Sequence, residues 1–239
     1  MIKAVGVVIP AHNEEDLLPS CLAAIRQAIR MLPPIPVHLV VVADACTDRT
    51  ADYAQRGGAG VLPIHARCVG AARRAGMGEV LSRTRHLDPG AVWLATTDAD
   101  TLVPPGWLGQ HLRHAAAGWD AVVGTVAVAD WSEHPPGLPP LFHQQYRTGW
   151  GTHPHVHGAN LGFSASAYLA AGGFQLRRTA EDCALVEALS VTGHRILRTT
   201  EISVQTSARH HARAPRGFGH LLSTLAVAVS PAPIFTASR

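Results

Sequence analysis

The chain has 239 residues, of which 47% are hydrophobic and 15% charged, with a net charge of +3. That balance suits one globular α/β unit with a sizeable core and excludes a disordered chain. Lys and Arg are scattered until the tail, so no nucleic-acid footprint is expected.

Val5 to Pro10 is a near-continuous apolar run, as expected of a strand buried on both faces. Asn13 is placed to cap a helix with Glu14, Glu15 and Asp16 in its first turn, where the dipole favours acids. Leu17, Leu18, Cys21, Leu22, Ile25 and Ile29 carry that helix to about Arg30, and Pro33, Pro34 and Pro36 end it. Val37 to Val42 is the next strand, followed by a helix over about Thr47 to Arg56 with Asp48 as its cap. Gly57, Gly58 and Gly60 break it before a short strand over Val61 to Ile64. A helix over Gly70 to about Ser82 carries Arg73 and Arg74. Val92 to Thr97 reads as a buried strand, then Gly106 to Ala116 as a helix and Ala121 to Ala129 as extended chain. The alternation predicts a doubly wound sheet.

Regularity fails from Asp130 to His157, where a helix is expected only around Leu141 to Thr148. Order resumes at Gly158, with helices from Ser166 to Gly172 and from Glu181 to about Thr192. Two short strands follow, Ile196 to Leu197 and Ile202 to Val204, then a basic tail from Ser207 and a short apolar helix over Leu221 to Val229. Cys21, Cys46, Cys68 and Cys183 show no C-x-x-C spacing and read as reduced, mostly buried thiols of a cytoplasmic protein. The first strand starts too early to leave room for a signal peptide, and no apolar run is long enough to span a membrane. Peripheral contact with a membrane stays compatible with this reading.

The chemistry concentrates at Asp98-Ala99-Asp100, two carboxylates at the end of a central strand, where open α/β sheets bind ligands. Oxygen ligands on a rigid element suit Mg²⁺ or Mn²⁺, which would in turn hold a phosphate. His153, His155 and His157 alternate, which puts three imidazoles on one face of an extended segment. The spacing admits zinc, but an exposed or acceptor-lining row is the preferred reading.

Five pieces occur in order: Val8-Ile9-Pro10-Ala11-His12-Asn13-Glu14, Val41 to Thr50, Thr97-Asp98-Ala99-Asp100, Gly158 to Gly173, and Glu181-Asp182. Together, over residues 4 to 205, they resemble family 2 glycosyltransferases of the GT-A fold. The resemblance implies a Rossmann-like, mostly parallel sheet flanked by helices over residues 1–206, with a nucleotide-sugar half about 1–101 and an acceptor half about 102–206. Residues 207–239 are then a basic tail.

It further implies a nucleotide-sugar donor, a divalent metal and inversion at the anomeric carbon. The acceptor would be a hydroxyl of a saccharide, a lipid-linked group or a small metabolite. Pro10, Ala11, Asn13, Glu14, Asp44, Asp98 and Ala99 would line the donor, and Arg67, Arg73 and Arg74 could meet its phosphates. Asp100 would ligate the metal, with His210 or His211 as a third ligand, and Arg209, Arg213 and Arg216 could close over the diphosphate. Asp182, in preference to Glu181, would be the general base, and Asn160 and Trp150 would touch the acceptor. The chain departs from the family pattern at Ala43, Cys46 and Arg74, where an acid, Ser and Asn are common.

Two rivals stand beside this reading. A nucleotidyltransferase should carry a Gly-rich loop with Lys where the chain has Ala11-His12-Asn13-Glu14. A non-catalytic nucleotide-sugar or carbohydrate-binding protein would have no need of both Asp100 and Asp182.

Overall fold

The computed structural model describes residues 1–128, 130–146, 148–208, 222 and 224–226. In chain order the first half gives β1 (Ala4–Ala11), α1 (Leu18–Arg30), β2 (Val37–Asp44), α2 (Thr50–Arg56), β3 (Gly60–Ile64), α3 (Val69–Arg83) and β4 (Val92–Thr96). The second half gives β5 (Thr101–Leu102), α4 (Trp107–Ala116), β6 (Ala121–Val128), α5 (Leu138–Gln145), β7 (Leu161–Ser164), α6 (Ala165–Ala170), α7 (Glu181–Val191) and β8 (Ile196–Thr206).

The strands form one sheet in the order β3-β2-β1-β4-β7-β6-β8-β5. β1 pairs parallel with both β2 and β4, and β2 with β3, so the first half is a parallel sheet with helical crossovers. β7 enters antiparallel between β4 and β6, β8 lies parallel to β6, and β5 closes the edge antiparallel to β8. The sheet is therefore mostly parallel, with β5 and β7 reversed.

Alternation along β1 feeds two cores. Val5, Val7 and Ile9 pack with Leu18, Leu22 and Ile25 of α1 and Trp107 and Leu108 of α4. Val8, with Val40 and Val42 of β2, packs on Met77 and Val80 of α3 and on Leu185 and Leu189 of α7. Gly76 lets α3 sit close to the sheet, because a Cβ there would lie 2.8 Å from Val42 Cγ2. Burying both faces explains the unbroken apolar runs of β1, β2 and β4.

β5 and β7 are strands the sequence did not announce, and three expected elements differ in their bounds. α1 begins at Leu18, not after Asn13, because Glu14 O accepts from Leu17 N and Leu18 N in a separate turn and Pro19 opens the helix proper. α5 begins at Leu138, three residues earlier than expected, since Pro139 and Pro140 are tolerated in a first turn. β8 is one strand of 11 residues with a register break, opposite Gly124, that makes it look like two in the sequence.

Of the helix expected over 221–229, Leu222 and Leu225 are described, and both are buried against Leu138 and Phe142 of α5. The cysteines are free, but only Cys21 is fully buried and Cys183 is exposed. Among the described residues, no helix is long and apolar enough to cross a membrane.

Candidate active site

The loops after β1 and β2 are stitched together. Asn13, at φ +54, takes Thr47 N on its Oδ1 at 2.8 Å and donates Nδ2 to Thr47 Oγ1 at 3.3 Å. Asn13 is therefore a bridge between loops and not a helix cap. Glu14, itself buried, gives its amide to Thr50 Oγ1 at 2.7 Å, and Glu15 N reaches Asp48 Oδ2 at 3.1 Å. Asp48 also takes Thr50 N, the first amide of α2, at 3.0 Å, although the N-cap position falls on Arg49 and not on Asp48 as expected. Pro10 and Ala11 end β1 beneath this bridge, and Ala11 O accepts the Cys46 thiol at 3.4 Å.

Asp44, at the end of β2, is buried and accepts three backbone amides: Ala66 at 2.7 Å, Arg67 at 2.8 Å and Cys68 at 2.8 Å. A carboxylate has roughly four acceptor positions. Its main task here is to wrap residues 66–68 into the start of α3. Arg67 stands at φ +46 in that wrap with its side chain exposed at the rim.

The centre of the site is Arg73. Its guanidinium is buried, with Nε on Thr96 Oγ1 at 3.2 Å, Nη2 on Asp98 Oδ1 at 2.5 Å and Nη1 on Glu181 Oε1. Burial works against its charge, but Glu181, Asp98 and Asp182 outweigh that and its pKa rises. Arg73 was expected to meet donor phosphates, and its burial among carboxylates corrects that expectation. Arg74 points outward to the carbonyls of Gly172 and Phe174 at 3.2 and 3.0 Å. The sequence held a signal for Arg73's placement: it lies three, four and seven residues before Gly76, Met77 and Val80, on the helix stripe that faces the sheet.

Asp98 follows β4, and its side chain is 38% exposed. Burial pushes its carboxyl up to about 6, opposed by Arg73 and assisted by Asp100, Glu181 and Asp182. Ala99 is buried between the two acids, and Asp100 is half-buried with its carbonyl accepting Ser207 N at 3.3 Å.

Asp182 lies in the first turn of α7. Its Oδ2 accepts Gly158 N at 2.7 Å and its Oδ1 accepts Cys183 N at 2.7 Å. Glu181 is buried in its ion pair with Arg73, and burial raises its carboxyl with Arg73 opposing. It therefore lacks the access a base needs, whereas Asp182 is half-buried. A groove of about 560 Å³ between α7 and β8 is lined by Cys183, whose amide bonds Asp182, but none of the four clustered acids lines it.

Asn160 corrects another expectation. It is 0% exposed, its Oδ1 accepts Trp107 Nε1 at 2.9 Å, and its Nδ2 donates to Thr125 O and Ile202 O at 2.8 and 2.9 Å. Nothing of the side chain is left for an acceptor. Trp150 is fully exposed at a turn closed by Gly149 N and Thr152 O.

The imidazoles of His153, His155 and His157 do stack, 6.0 Å apart. The row is not uniformly exposed: His153 is buried with Nε2 on Val123 O at 3.0 Å, and His157 Nε2 lies 3.0 Å from Tyr146 Oη. Burial holds His157 down to about 4 and pushes Tyr146 up to about 12. Tyr146 stacks on His155 at 4.0 Å and accepts Val126 N, a role the sequence gave no sign of. Among the described residues, no three His, Cys, Asp or Glu are grouped to hold a metal, which leaves the zinc reading of the row without support. His210, His211, Arg209, Arg213 and Arg216 lie outside the described residues.

Residues 6–182 match the family described as Glycosyl transferase family 2. An undecaprenyl-phosphate 4-deoxy-4-formamido-L-arabinose transferase of Pectobacterium carotovorum subsp. carotovorum (strain PC1) is 34% identical over 125 residues, 52% of this chain and 37% of that protein. The match thus spans well under half the length of that curated relative. Two solved structures share the fold. The mannosyltransferase PcManGT from Pyrobaculum calidifontis, in complex with GDP-Man and Mn²⁺, has a TM-score of 0.63 at 21% identity, covering 87% of this chain and 58% of that one. Glucosyl-3-phosphoglycerate synthase from Mycobacterium tuberculosis, with Mn²⁺, UDP and glucosyl-3-phosphoglycerate, has a TM-score of 0.54 at 16% identity, covering 95% and 78%.

Proposed function

The chain belongs to glycosyl transferase family 2, and on that footing we propose that it moves a sugar from a nucleotide-diphospho-sugar to an acceptor hydroxyl with inversion. The observation that carries the reading is the grouping of Asp98 and Glu181 on one buried guanidinium, which brings the carboxylates after β4 beside the first turn of α7. Residues 82 positions apart in the chain, Asp100 and Asp182, thereby border one site.

Asp182 acts as the base. Two backbone amides fix its carboxylate while leaving acceptor positions for the proton of the attacking hydroxyl. The acceptor oxygen bonds to the anomeric carbon as that carbon's bond to the donor phosphate breaks. The nucleoside diphosphate departs with the electron pair, and the proton ends on Asp182. One displacement of this kind inverts the centre and needs no protein nucleophile. The stitched loops of Asn13, Glu14 and Asp44 and the rim Arg67 form the nucleoside end of the donor site. The sheet divides with them, a donor half about 1–101 and an acceptor half about 102–206.

A divalent cation fits the donor chemistry, because Asp98 and Asp100 are oxygen ligands and their mutual repulsion helps lift Asp98. Asp100 would hold it with Asp98 behind, and bound Mn²⁺ or Mg²⁺ would supply charge neutralisation for the diphosphate. The pairing of Thr101 with Thr206 and the bond from Ser207 N to Asp100 O bring the chain out of β8 beside Asp100. That exit supports His210 or His211 as a further ligand.

The acceptor is read as a hydroxyl of a saccharide, a lipid-linked group or a small metabolite presented at the acceptor half, with Trp150 as an exposed stacking surface. The name of the relative, an undecaprenyl-phosphate transferase, supports the lipid-linked alternative. The free thiols accord with a reducing, cytoplasmic compartment. The test is nucleotide release from a panel of nucleotide-sugars with Mn²⁺, comparing wild type with Asp182→Asn. Full release by Asp182→Asn would remove the base assignment. Donor binding with no release from any donor and acceptor pair would favour a binding protein.

A further inference from the structure

We propose that Arg73 is a positioning residue: a resident counter-charge that ties the carboxylates after β4 to the start of α7 and so aims Asp182 at the donor. The inference rests on the transferase reading above and adds a part to it.

Three observations carry it. First, the guanidinium spends its three nitrogens on three places, Thr96 at the end of β4, Asp98 beyond it, and Glu181 at the head of α7. It is 3% exposed, so no face is left for a diphosphate. Second, α7 has no side-chain cap, and its N-cap residue Ala180 stands at φ +57 in the left-handed region. Local sequence therefore does little to fix where α7 starts, and the Glu181–Arg73 pair supplies that anchor one residue from Asp182. Third, Gly158, whose amide holds Asp182 Oδ2, lies flat against the guanidinium. A Cβ there would stand 2.5 Å from Arg73 Cζ. Two supports of Asp182, its chain neighbour Glu181 and its amide donor Gly158, thus lean on Arg73, and α3 holds Arg73 rigidly through the close approach of Gly76 to β1 and β2.

The reasoning predicts a specific pattern. Arg73→Met leaves Glu181 as a buried acid without a partner, and the head of α7 moves to hydrate it, carrying Asp182 away. A shift of about 1 Å suffices for roughly a 100-fold loss in kcat. Donor KM should change by much less than kcat, since the lost aim of Asp182 acts on the chemical step, while the loosened Asp98 affects donor binding only secondarily. Arg73→Met combined with Glu181→Leu removes the stranded charge, and replacing a buried pair by apolar residues is often neutral. The double variant should regain at least about tenfold of the lost kcat. Gly158→Ala, with Arg73 intact, should reproduce the kcat loss by pushing the guanidinium aside.

The experiment measures nucleotide release, donor KM and thermal midpoint for wild type, Arg73→Met, the double variant and Gly158→Ala. The midpoint of Arg73→Met should fall by about 10 °C, and the double variant should recover at least half of that. A rise in donor KM as large as the loss in kcat, without rescue of kcat by the double variant, would make Arg73 a phosphate ligand and overturn the proposal. So would a midpoint and kcat in Arg73→Met within error of wild type. If the wild type releases nucleotide from no donor, the transferase reading falls, while the midpoints still decide whether the tie exists.

Discussion

Replacing Asn160 by Ala separates a structural amide from an acceptor contact. β6 and β8 run in register from Ala121 and Ile196 to Val123 and Arg198, then resume at Thr125 opposite Ser203. One residue, Gly124, thus faces four on β8, a gap in the ladder beside the carbonyls of Thr125 and Ile202. The Asn160 amide fills that gap, with Gly124 leaving it room: a Cβ on Gly124 would stand 2.6 Å from Asn160 Cγ. On its other side it pairs the buried Trp107 indole.

The variant therefore strands the Trp107 indole donor and takes the amide donor from two core carbonyls, of which Ile202 O keeps Thr125 Oγ1 at 3.5 Å. Each unpaired buried group costs about 1–3 kcal/mol, though relaxation and water entry recover part, so the total is about 3–5 kcal/mol. For a chain of this size that lowers the thermal midpoint by about 6–20 °C. Urea and thermal unfolding measure it directly, with acceptor KM taken on the protein that remains folded. An Asn160→Ala protein within about 1 kcal/mol of wild type, but with a raised acceptor KM, would refute the structural assignment.

Three further outcomes follow from the geometry. Asp182→Asn keeps the hydrogen-bonded position but removes the proton acceptor, so turnover should fall by about 10²–10⁴-fold with donor affinity retained, as measured by titration calorimetry. Asp100→Asn should remove the Mn²⁺-dependent rise in thermal midpoint seen with a nucleotide diphosphate, a rise worth about 2.7 kcal/mol at 100-fold excess over Kd. A full rise in that variant would place the metal elsewhere. Burial holds His111 at about 3 and His157 at about 4 in the folded chain, against an ordinary value of 6.5. The unfolded chain binds more protons between those values, so stability is complete above pH 6.5 and is lost as pH falls towards 3. Each pH unit of lowering corresponds to about 1.4 kcal/mol, which makes the combined loss several kcal/mol. His111→Met should flatten the urea-midpoint profile between pH 6.5 and 4.5, and an unchanged slope would show that other groups govern acid sensitivity.

What the sequence revealed, and what it hid, divides along the range of the interactions. β1, β2 and β4 were legible because burial on both faces leaves an unbroken apolar run, a signal each strand carries within itself. The Asp98-Ala99-Asp100 motif was legible for the same reason, being local and punctuated by Pro104 and Pro105. The start of α1 was misplaced because Asn13 and the following acids make a good local cap, yet its amide bonds Thr47 across 34 residues instead. β5, two residues long, exists only because β8 pairs with it. The same limit hid the roles at the site. Arg73 and Glu181 are 108 residues apart and meet only after β7 has inserted antiparallel beside β4 and α7 has packed near α3. Periodicity could place Arg73 on the sheet-facing stripe of α3, and chemistry could say that a buried Arg requires acids. Which acids it meets depended on the strand order, and that order is what turned an expected phosphate ligand into the internal partner of two carboxylates.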